Sequence, residues 1–482
     1  MKITLLNPND CCSEIMGAGK LFVIPAMPMG LLSVGSFLEK KGHTVTFRDS
    51  FFHNDTVQSA FEYIKKENPD ILAATCLTAN SEFIYRLGKK IKESNLNIFI
   101  ILGNIHSSIF YEFFLTNRIC DLVVHGEGEY TTAEIIDVFQ NKNFEPVKGI
   151  SFLKDGKPFK TGERERINDI DALPHYIIKD LNIEDYLLKD RLKETMIPIL
   201  SSRGCINRCR FCNVHNQRNY RVRKVSSVIE EIVFFKEKYG VNFIDFIDSL
   251  FTVYEDRTME ICEEILKRNL KIKWHCSSHI NFLSEKLAKK MAESGCCGIA
   301  LGLESGNQKI VDSMNKGISL EKAKGVINYV TKYIYDTQCL FILGIPGETE
   351  DTINQTINLA VSLPIKTAQF TVFVPYPGSD YYYELLKNGE IENPLDDPEK
   401  ALQLWKRYSS YSFFTNTPAI YTAKALTPEV LINYHKKALR KFYLRPGYIL
   451  KHGITNWRTK NLNLYNPKEF YRLMKSVASL FI

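Results

Sequence analysis

SSRGCINRCRFCN, residues 201–213, places Cys205, Cys209 and Cys212 in a C-x3-C-x2-C spacing. A closed structural zinc site takes four ligands, so three cysteines leave one position open. A four-iron, four-sulfur (4Fe-4S) cluster normally takes a thiolate at each iron. Three cysteines in one short loop therefore point to a cluster with one iron left for another ligand. A zinc reading stands beside it, because His215 follows soon after Cys212 and would complete a Cys3His set. Phe211 adjoins the third cysteine and is placed to shield the sulfurs from water, which helps to set a cluster's potential.

The 482-residue chain is long enough for roughly two to four domains with sizeable cores. Hydrophobic residues at 45% and charged residues at 24% are ordinary for a globular protein in water. A formal charge of +7 permits an anionic partner without calling for nucleic acid. The 12 cysteines form no small disulfide framework, and most of those outside the loop sit in apolar runs, which fits a reducing, cytoplasmic setting. The opening MKITLLNPN has too short an apolar run for a signal peptide, and no stretch reaches the ~20 apolar residues of a membrane span.

Upstream of the cysteines, residues 2–6, 44–48, 71–76, 98–102 and 122–124 read as strands with helices between them. One helix opens at Pro28-Met29-Gly30 and stops at Gly42. This alternation predicts a doubly wound, Rossmann-like or flavodoxin-like parallel sheet over residues 1–150, with ligands bound beyond the carboxyl ends of its strands. Those ends carry Thr78, Gly103, Asn104, His106, Gly126, Glu127 and Gly128, which would let a large flat or anionic cofactor approach the backbone. No G-x-G-x-x-G follows the first strand, and Gly17-Ala18-Gly19-Lys20 lacks the spacing and hydroxyl of a P-loop, so a dinucleotide or nucleotide is disfavoured.

A hairpin turning at Asp155-Gly156 and a charged run make residues 151–195 a connector. Residues 196–385 then repeat strand and helix, with six strands near 198–202, 241–247, 271–276, 298–303, 338–343 and 368–373. That pattern predicts a partial (β/α)6 barrel whose site lies at the carboxyl ends of the strands. Past residue 386 the rhythm stops, and residues 386–482 are expected to form a helical domain, with a last helix from Asn466-Pro467. The basic, aromatic stretch 440–451 is a packed cap, a lid, a substrate-shaping element or a weak membrane-surface contact.

The cysteine loop resembles that of the radical S-adenosyl-L-methionine (SAM) superfamily, in which SAM chelates the open iron and is cleaved to a 5′-deoxyadenosyl radical. The turns GLESG at 302–306 and GIPGE at 344–348, the segment IDSLF at 247–251 and the turn PYPG at 375–378 resemble the strand ends of that fold, in the same order. By that resemblance Glu304, Ser305, Asp248, Gly344, Glu348 and Pro375 are expected to bind SAM, with Glu304 the favoured carboxylate for its ribose or amino group. Glu348 is equally open to capping the helix that follows it. Trp274, His275, Cys276 and His279 lie near the expected cavity, where packing and substrate contact stay open.

Residues 1–150 resemble the cobalamin-binding domain fused upstream of many radical SAM enzymes. Asn7-Pro8, Pro28-Met29-Gly30-Leu31, Leu102-Gly103-Asn104-Ile105-His106 and His125-Gly126-Glu127-Gly128-Glu129 carry the likeness. The resemblance implies that Thr78, Gly103, Asn104, His106, Gly126, Glu127 and Gly128 face cobalamin, with His106 and His125 also open to structural roles. The chain departs from the Asp-x-His-x-x-Gly corrinoid pattern, since Asp49 is followed by Ser50-Phe51-Phe52-His53 and no glycine. His53 is therefore expected on the surface rather than on cobalt.

The tail resembles enzymes related to the anaerobic magnesium-protoporphyrin ester cyclase. Together these likenesses imply an enzyme with a 4Fe-4S cluster, SAM and cobalamin that methylates an unactivated carbon or a phosphinate centre. Its substrate would be a small molecule: a natural-product, lipid or tetrapyrrole intermediate. The alternative is a cobalamin-dependent radical cyclisation, oxidation or rearrangement, and a non-catalytic metal- or corrinoid-binding protein is a remote third. A reductase, flavodoxin or ferredoxin is expected as electron donor. No catalytic residue beyond the cluster cysteines is assigned.

Overall fold

A computed structural model describes residues 1–11, 26–94, 96–189, 194–213, 219–408 and 419–448. The zinc candidate His215, residues 17–20, the helix at Asn466-Pro467 and the end of the basic stretch 440–451 lie outside the described residues. The chain divides into two compact units. The first comprises Met1–Tyr186 and the described part of Tyr376–Thr415; the second comprises Leu187–Pro375 and the described part of Asn416–Ile482. The stretch 386–482, which the sequence suggests is one helical domain, is therefore shared between them.

The first unit is a doubly wound sheet. Its strands are β1 (Lys2–Asn7), β2 (Thr44–Asp49), β3 (Ile71–Thr75), β4 (Phe99–Gly103) and β5 (Leu122–Val124), followed by the hairpin β6 (Ile150–Lys154) and β7 (Lys157–Lys160). The order is β2-β1-β3-β4-β5-β6-β7; β1 to β5 are parallel and the hairpin is antiparallel. β1 is central, and its Ile3, Leu5 and Leu6 are fully buried, each worth about 1.5–3 kcal/mol. Helices α1 (Met29–Lys40), α2 (Val57–Glu67), α3 (Ser81–Glu93), α4 (Ile105–Ile109), α5 (Tyr111–Thr116) and α6 (Gly128–Asp137) run between the strands. α1 lies so close to β1 that a side chain at Gly35 would strike Leu5. Gly42, at φ +89°, ends that helical excursion as glycine favours.

The second unit is a seven-stranded sheet, β16-β15-β14-β13-β12-β9-β8. β8 (Leu188–Lys189) is antiparallel to β9 (Thr195–Ile199). β9, β12 (Phe243–Phe246), β13 (Lys273–Ser278), β14 (Cys296–Glu304), β15 (Asp336–Leu343) and β16 (Thr367–Val372) are parallel, which gives the six strands expected of a partial barrel. A short ribbon, β10 (Ser202–Arg203) with β11 (Arg221–Val222), flanks the cysteine loop. The helices are α7 (Val225–Tyr239), α8 (Glu255–Lys267), α9 (Glu285–Glu293), α10 (Gln308–Ser313), α11 (Leu320–Tyr333) and α12 (Glu350–Ser362). Along β13 and β15 every second residue is buried and alternates with a more exposed one, as in a strand with two unlike faces.

After β16 the chain returns to the first unit as α13 (Asp380–Lys387) and α14 (Pro398–Arg407), then supplies α15 (Pro428–Tyr443) to the second. On α14, Glu399 pairs with Arg86 at 3.0 Å and Lys406 with Glu82 at 2.5 Å. Trp405 is buried against His106, Phe110 and Phe113, with ring centroids 4.4, 4.8 and 4.9 Å away. α15 buries Leu431, Ala438 and Phe442, while Lys436, Lys437, Arg440 and Lys441 line a shallow cavity of about 390 Å3 on its other side. No helix among the described residues is long and apolar enough to cross a membrane.

Trp405→Ala should destabilise the first unit by about 3–5 kcal/mol, the usual cost of emptying a buried tryptophan site. Urea unfolding followed by a first-unit probe should show the loss, and an unchanged midpoint would mean that α14 does not complete that core.

Candidate functional site

The cysteine loop hangs from a set of buried polar bonds. Asp248, at the end of β12, accepts from the Ser201 backbone N–H at 3.2 Å, from the Ser201 hydroxyl at 3.1 Å and from the Ser202 hydroxyl. Burial pushes its carboxyl pKa up, and those bonds with the nearby Arg257 charge pull it back. Arg257 donates to the Ser201 carbonyl at 2.9 Å and to the Arg223 carbonyl at 3.1 Å; Arg223 in turn pairs with the buried Glu231. Gly204, at φ +88°, then turns the chain into Cys205.

None of the three cysteines is in a disulfide; Cys209 is buried, and Cys205 and Cys212 are half-buried. Among the described residues no three His, Cys, Asp or Glu side chains converge on a single metal position. A 4Fe-4S cluster takes one thiolate at each of separate irons, so Cys205, Cys209 and Cys212 would hold three irons and leave the fourth open. Burial pushes the Cys209 thiol up to about 11, against the pull of the Lys316 charge.

Lys316 is the residue that sequence reasoning missed. Its ammonium donates to Glu304 at 2.8 Å, its side chain is 11% exposed, and it lies 5.8 Å from the centre of the Phe211 ring. Burial lowers its pKa, but Glu304 and the Cys209 and Cys212 sulfurs outweigh that, so the balance is raised and the ammonium stays charged. The loop that bears it is pinned on both sides. Arg210 donates to the carbonyls of Met314 at 2.9 Å and Ser313 at 3.0 Å, and the Asn315 amide donates to the Arg208 carbonyl at 3.0 Å. On the barrel side His279 Nε2 donates to the Lys316 carbonyl at 3.2 Å, His279 Nδ1 accepts from the Asn281 N–H, and the Asn281 amide donates to the Gly317 carbonyl at 2.8 Å. His279 is buried and therefore supports this loop. The only signal in the sequence was a lysine three residues beyond a short helix, which reads as a solvated charge.

Glu304 reaches this position through an irregularity. The β14–β15 register shifts between Gly302 and Glu304, and Glu304 has φ +66°, unusual for a residue with a side chain. A side chain at Gly302 would collide with the Glu304 carboxylate and stand 2.6 Å from Lys316 Nζ. The ion pair thus lies across bare backbone.

The other residues expected at SAM lie on the same carboxyl edge but are engaged with protein. The Ser305 hydroxyl bonds Thr356 at 3.1 Å. Glu348 Oε2 accepts from the N–H groups of Gly344 at 2.6 Å and Ile345 at 3.2 Å, while its Oε1 is buried without a partner. Burial pushes the Glu348 carboxyl up to about 7. Gly344, at φ +89°, abuts Leu431 of α15, and Pro375 is buried. Trp274 donates to the Ser294 carbonyl at 3.2 Å, His275 pairs with Asp245 at 3.1 Å, and Cys276 is buried.

In the first unit the strand ends form an open backbone rim. A side chain at Gly103 would meet nothing within 4 Å. Asn104, at φ 83° and ψ 176°, holds a conformation that is nearly glycine's alone, secured by bonds from its amide to Thr75 at 2.9 Å and from the Ile105 N–H to its side chain at 2.7 Å. Leu77 beside them is 42% exposed. Bare backbone and one apolar side chain suit a flat macrocycle. His106 is fully buried; its Nδ1 lies 3.2 Å from the Thr78 hydroxyl, its Nε2 has no hydrogen-bond partner, and burial lowers its pKa to about 3. Its place is beneath the rim, against Trp405. Gly126, at φ +82°, packs on Arg166, Glu127 accepts from the Ile167 N–H at 2.8 Å, and Gly128 approaches Val34, so this loop holds the connector and α1. His125 bonds Ser151 at 2.7 Å. Asp49 accepts from Asn7 at 3.0 Å, the Phe52 N–H at 2.9 Å and Tyr186 at 2.5 Å, and His53 is exposed.

Residues 199–360 match the radical SAM superfamily, and residues 24–136 match the B12 binding domain. An uncharacterised methyltransferase of Pyrococcus horikoshii is 30% identical over 462 residues, covering 94% of each chain. The anaerobic magnesium-protoporphyrin IX monomethyl ester cyclase of Cereibacter sphaeroides is 27% identical, over 92% of this chain and 71% of its own. The radical S-adenosylmethionine methyltransferase TsrM from Kitasatospora setae, solved with tryptophan and a SAM analogue, shares the fold: TM-score 0.68, 17% identity, 92% of this chain and 89% of that one.

Glu348→Gln keeps an acceptor for Gly344 and Ile345 and removes the titration. A carboxyl raised from its ordinary 4.5 to about 7 stabilises the fold fully at acid pH, and that contribution fades as pH rises from 4.5 through 7. The variant should abolish this component, roughly 1–3 kcal/mol, in unfolding measured from acid to neutral pH. Parallel pH profiles for variant and parent would contradict it.

Proposed function

We propose that this chain, which belongs to the cobalamin-dependent radical SAM family, methylates an unactivated carbon or a phosphinate centre of a small molecule. The observation that carries the reading is the C-x3-C-x2-C trio of thiols beside a buried Glu304–Lys316 pair, in a chain 30% identical along 94% of its length to an uncharacterised methyltransferase. When bound, the cluster and SAM supply one-electron cleavage chemistry and cobalamin supplies methyl-carrying chemistry.

The chain's own groups divide the remaining work. Cys205, Cys209 and Cys212 hold three corners of the cluster, and Asp248 with Arg257 fixes the root of their loop. Glu304 and Lys316 offer one negative and one positive group, the complement of a zwitterionic amino acid, so Glu304 accepts from the SAM amino group and Lys316 donates to its carboxylate. Glu348 holds the Gly344 turn in place for the rest of SAM. Thr75, Leu77, Gly103 and Asn104 form the seat for the corrin, with His106 bracing it from below. An external one-electron donor, a reductase, flavodoxin or ferredoxin, is required, and cysteines outside disulfides, such as the buried Cys76, Cys120, Cys262 and Cys339, suit a reducing cytoplasm.

Likeness to the magnesium-protoporphyrin ester cyclase favours a second reading, radical ring formation without methyl transfer. Anaerobic reconstitution with iron, sulfide, hydroxocobalamin and SAM separates the two. S-adenosylhomocysteine with a methylated product is expected; deoxyadenosine with an unmethylated product would assign the second. Cys209→Ala should abolish SAM cleavage and leave corrinoid uptake, read by visible absorption, largely intact.

A further inference from the structure

We propose that Lys316 sets the reduction potential of the iron–sulfur cluster and that Glu304 attenuates it. The proposal rests on the reading above only for the identity of the cluster. The Lys316 ammonium, ion-paired with Glu304 and 11% exposed, stands beside the cysteine loop, 5.8 Å from the ring of Phe211 between Cys209 and Cys212 in the chain. At such a site, shielded from water, a charge acts far more strongly than at a surface. A three-thiolate cluster gains negative charge on reduction, so a fixed cation beside it favours the reduced form. Glu304, bonded to Lys316 at 2.8 Å, cancels part of that field.

The surroundings fix this charge instead of letting it swing away. The backbone on either side of Lys316 is held by Asn315 to Arg208, by Arg210 to Met314, by His279 to Lys316 and by Asn281 to Gly317. Bare backbone at Gly302 leaves room for the pair, and Phe211 covers the ammonium from the loop side. A lysine needed only for packing would require none of this pinning of a charge against thiols. Lys316 is in this respect a positioning residue, acting on the reaction through the cluster.

The test is a redox titration of the reconstituted full-length protein without SAM, followed by electron paramagnetic resonance of the reduced cluster. Lys316→Met should make the cluster harder to reduce, shifting the one-electron equilibrium at least tenfold, or 59 mV toward negative potential. Glu304→Gln should shift it the opposite way, and Lys316→Arg should stay near the parent. A packing role alone would not produce opposite signs from the two partners. Equal potentials in all proteins, or a shift of the same sign in both neutralising variants, would overturn the proposal. If Lys316→Met takes up no iron, the sign of the Glu304→Gln shift decides. If no variant takes up iron while remaining folded, the pair serves cluster assembly and the proposal falls. Absence of a 4Fe-4S signal in the parent would instead refute the functional reading.

Discussion

Asp248 is the constraint on which the cysteine loop depends. A cluster loop must keep its thiols open and unbonded, so it cannot stabilise itself through them. Its rigidity has to come from where it is tethered. One buried carboxylate at the end of β12 takes two hydroxyls and a backbone N–H from Ser201 and Ser202, and Arg257 closes the set from the other side. Removing a buried acceptor strands its donors at about 1–3 kcal/mol each, so the tether is cooperative. The far side of the loop is fastened separately, to the turn that carries Lys316. Between the two fastenings the cysteines need only face inward.

Much of this was legible. Strand–helix alternation predicted both parallel sheets, because buried parallel strands leave continuous apolar runs such as residues 98–102. The cysteine spacing and the order of the strand-end turns pointed to the carboxyl edge at which Glu304 and Lys316 pair beside the cysteine loop. What the sequence could not convey was which polar groups at those ends are already occupied. Ser305, Glu348 and Asp248 sit at the expected edge, yet their hydrogen bonds run to Thr356, to the Gly344 turn and to Ser201 and Ser202. Lys316 escaped notice because its meaning arises from a long-range partner, and no local pattern distinguishes a pinned lysine from a solvated one. The division of the C-terminal helices escaped for a related reason: helical periodicity shows which face of α14 is apolar but not which surface it covers.

The two sheets share one local device. Asn104 directly follows β4 and Glu304 ends β14, and both hold positive φ with a side chain attached. Each conformation costs on the order of 1–3 kcal/mol and persists only where its surroundings enforce it. Asn104 is held by Thr75 and Ile105, Glu304 by Lys316 and the register shift beside Gly302. In both cases the backbone turns where the strand meets its proposed ligand, a natural place for function to tolerate strain.

The return of α14 to the first unit orders events on the ribosome. The sheet of β1 to β7 is translated early, but the tryptophan that closes its aromatic face lies more than 200 residues later, beyond all the strands of the barrel. Until then Phe110 and Phe113 have no cover from Trp405. A nascent chain therefore carries a sticky, half-finished domain throughout synthesis of the second, the interval in which exposed apolar surface invites aggregation or a chaperone.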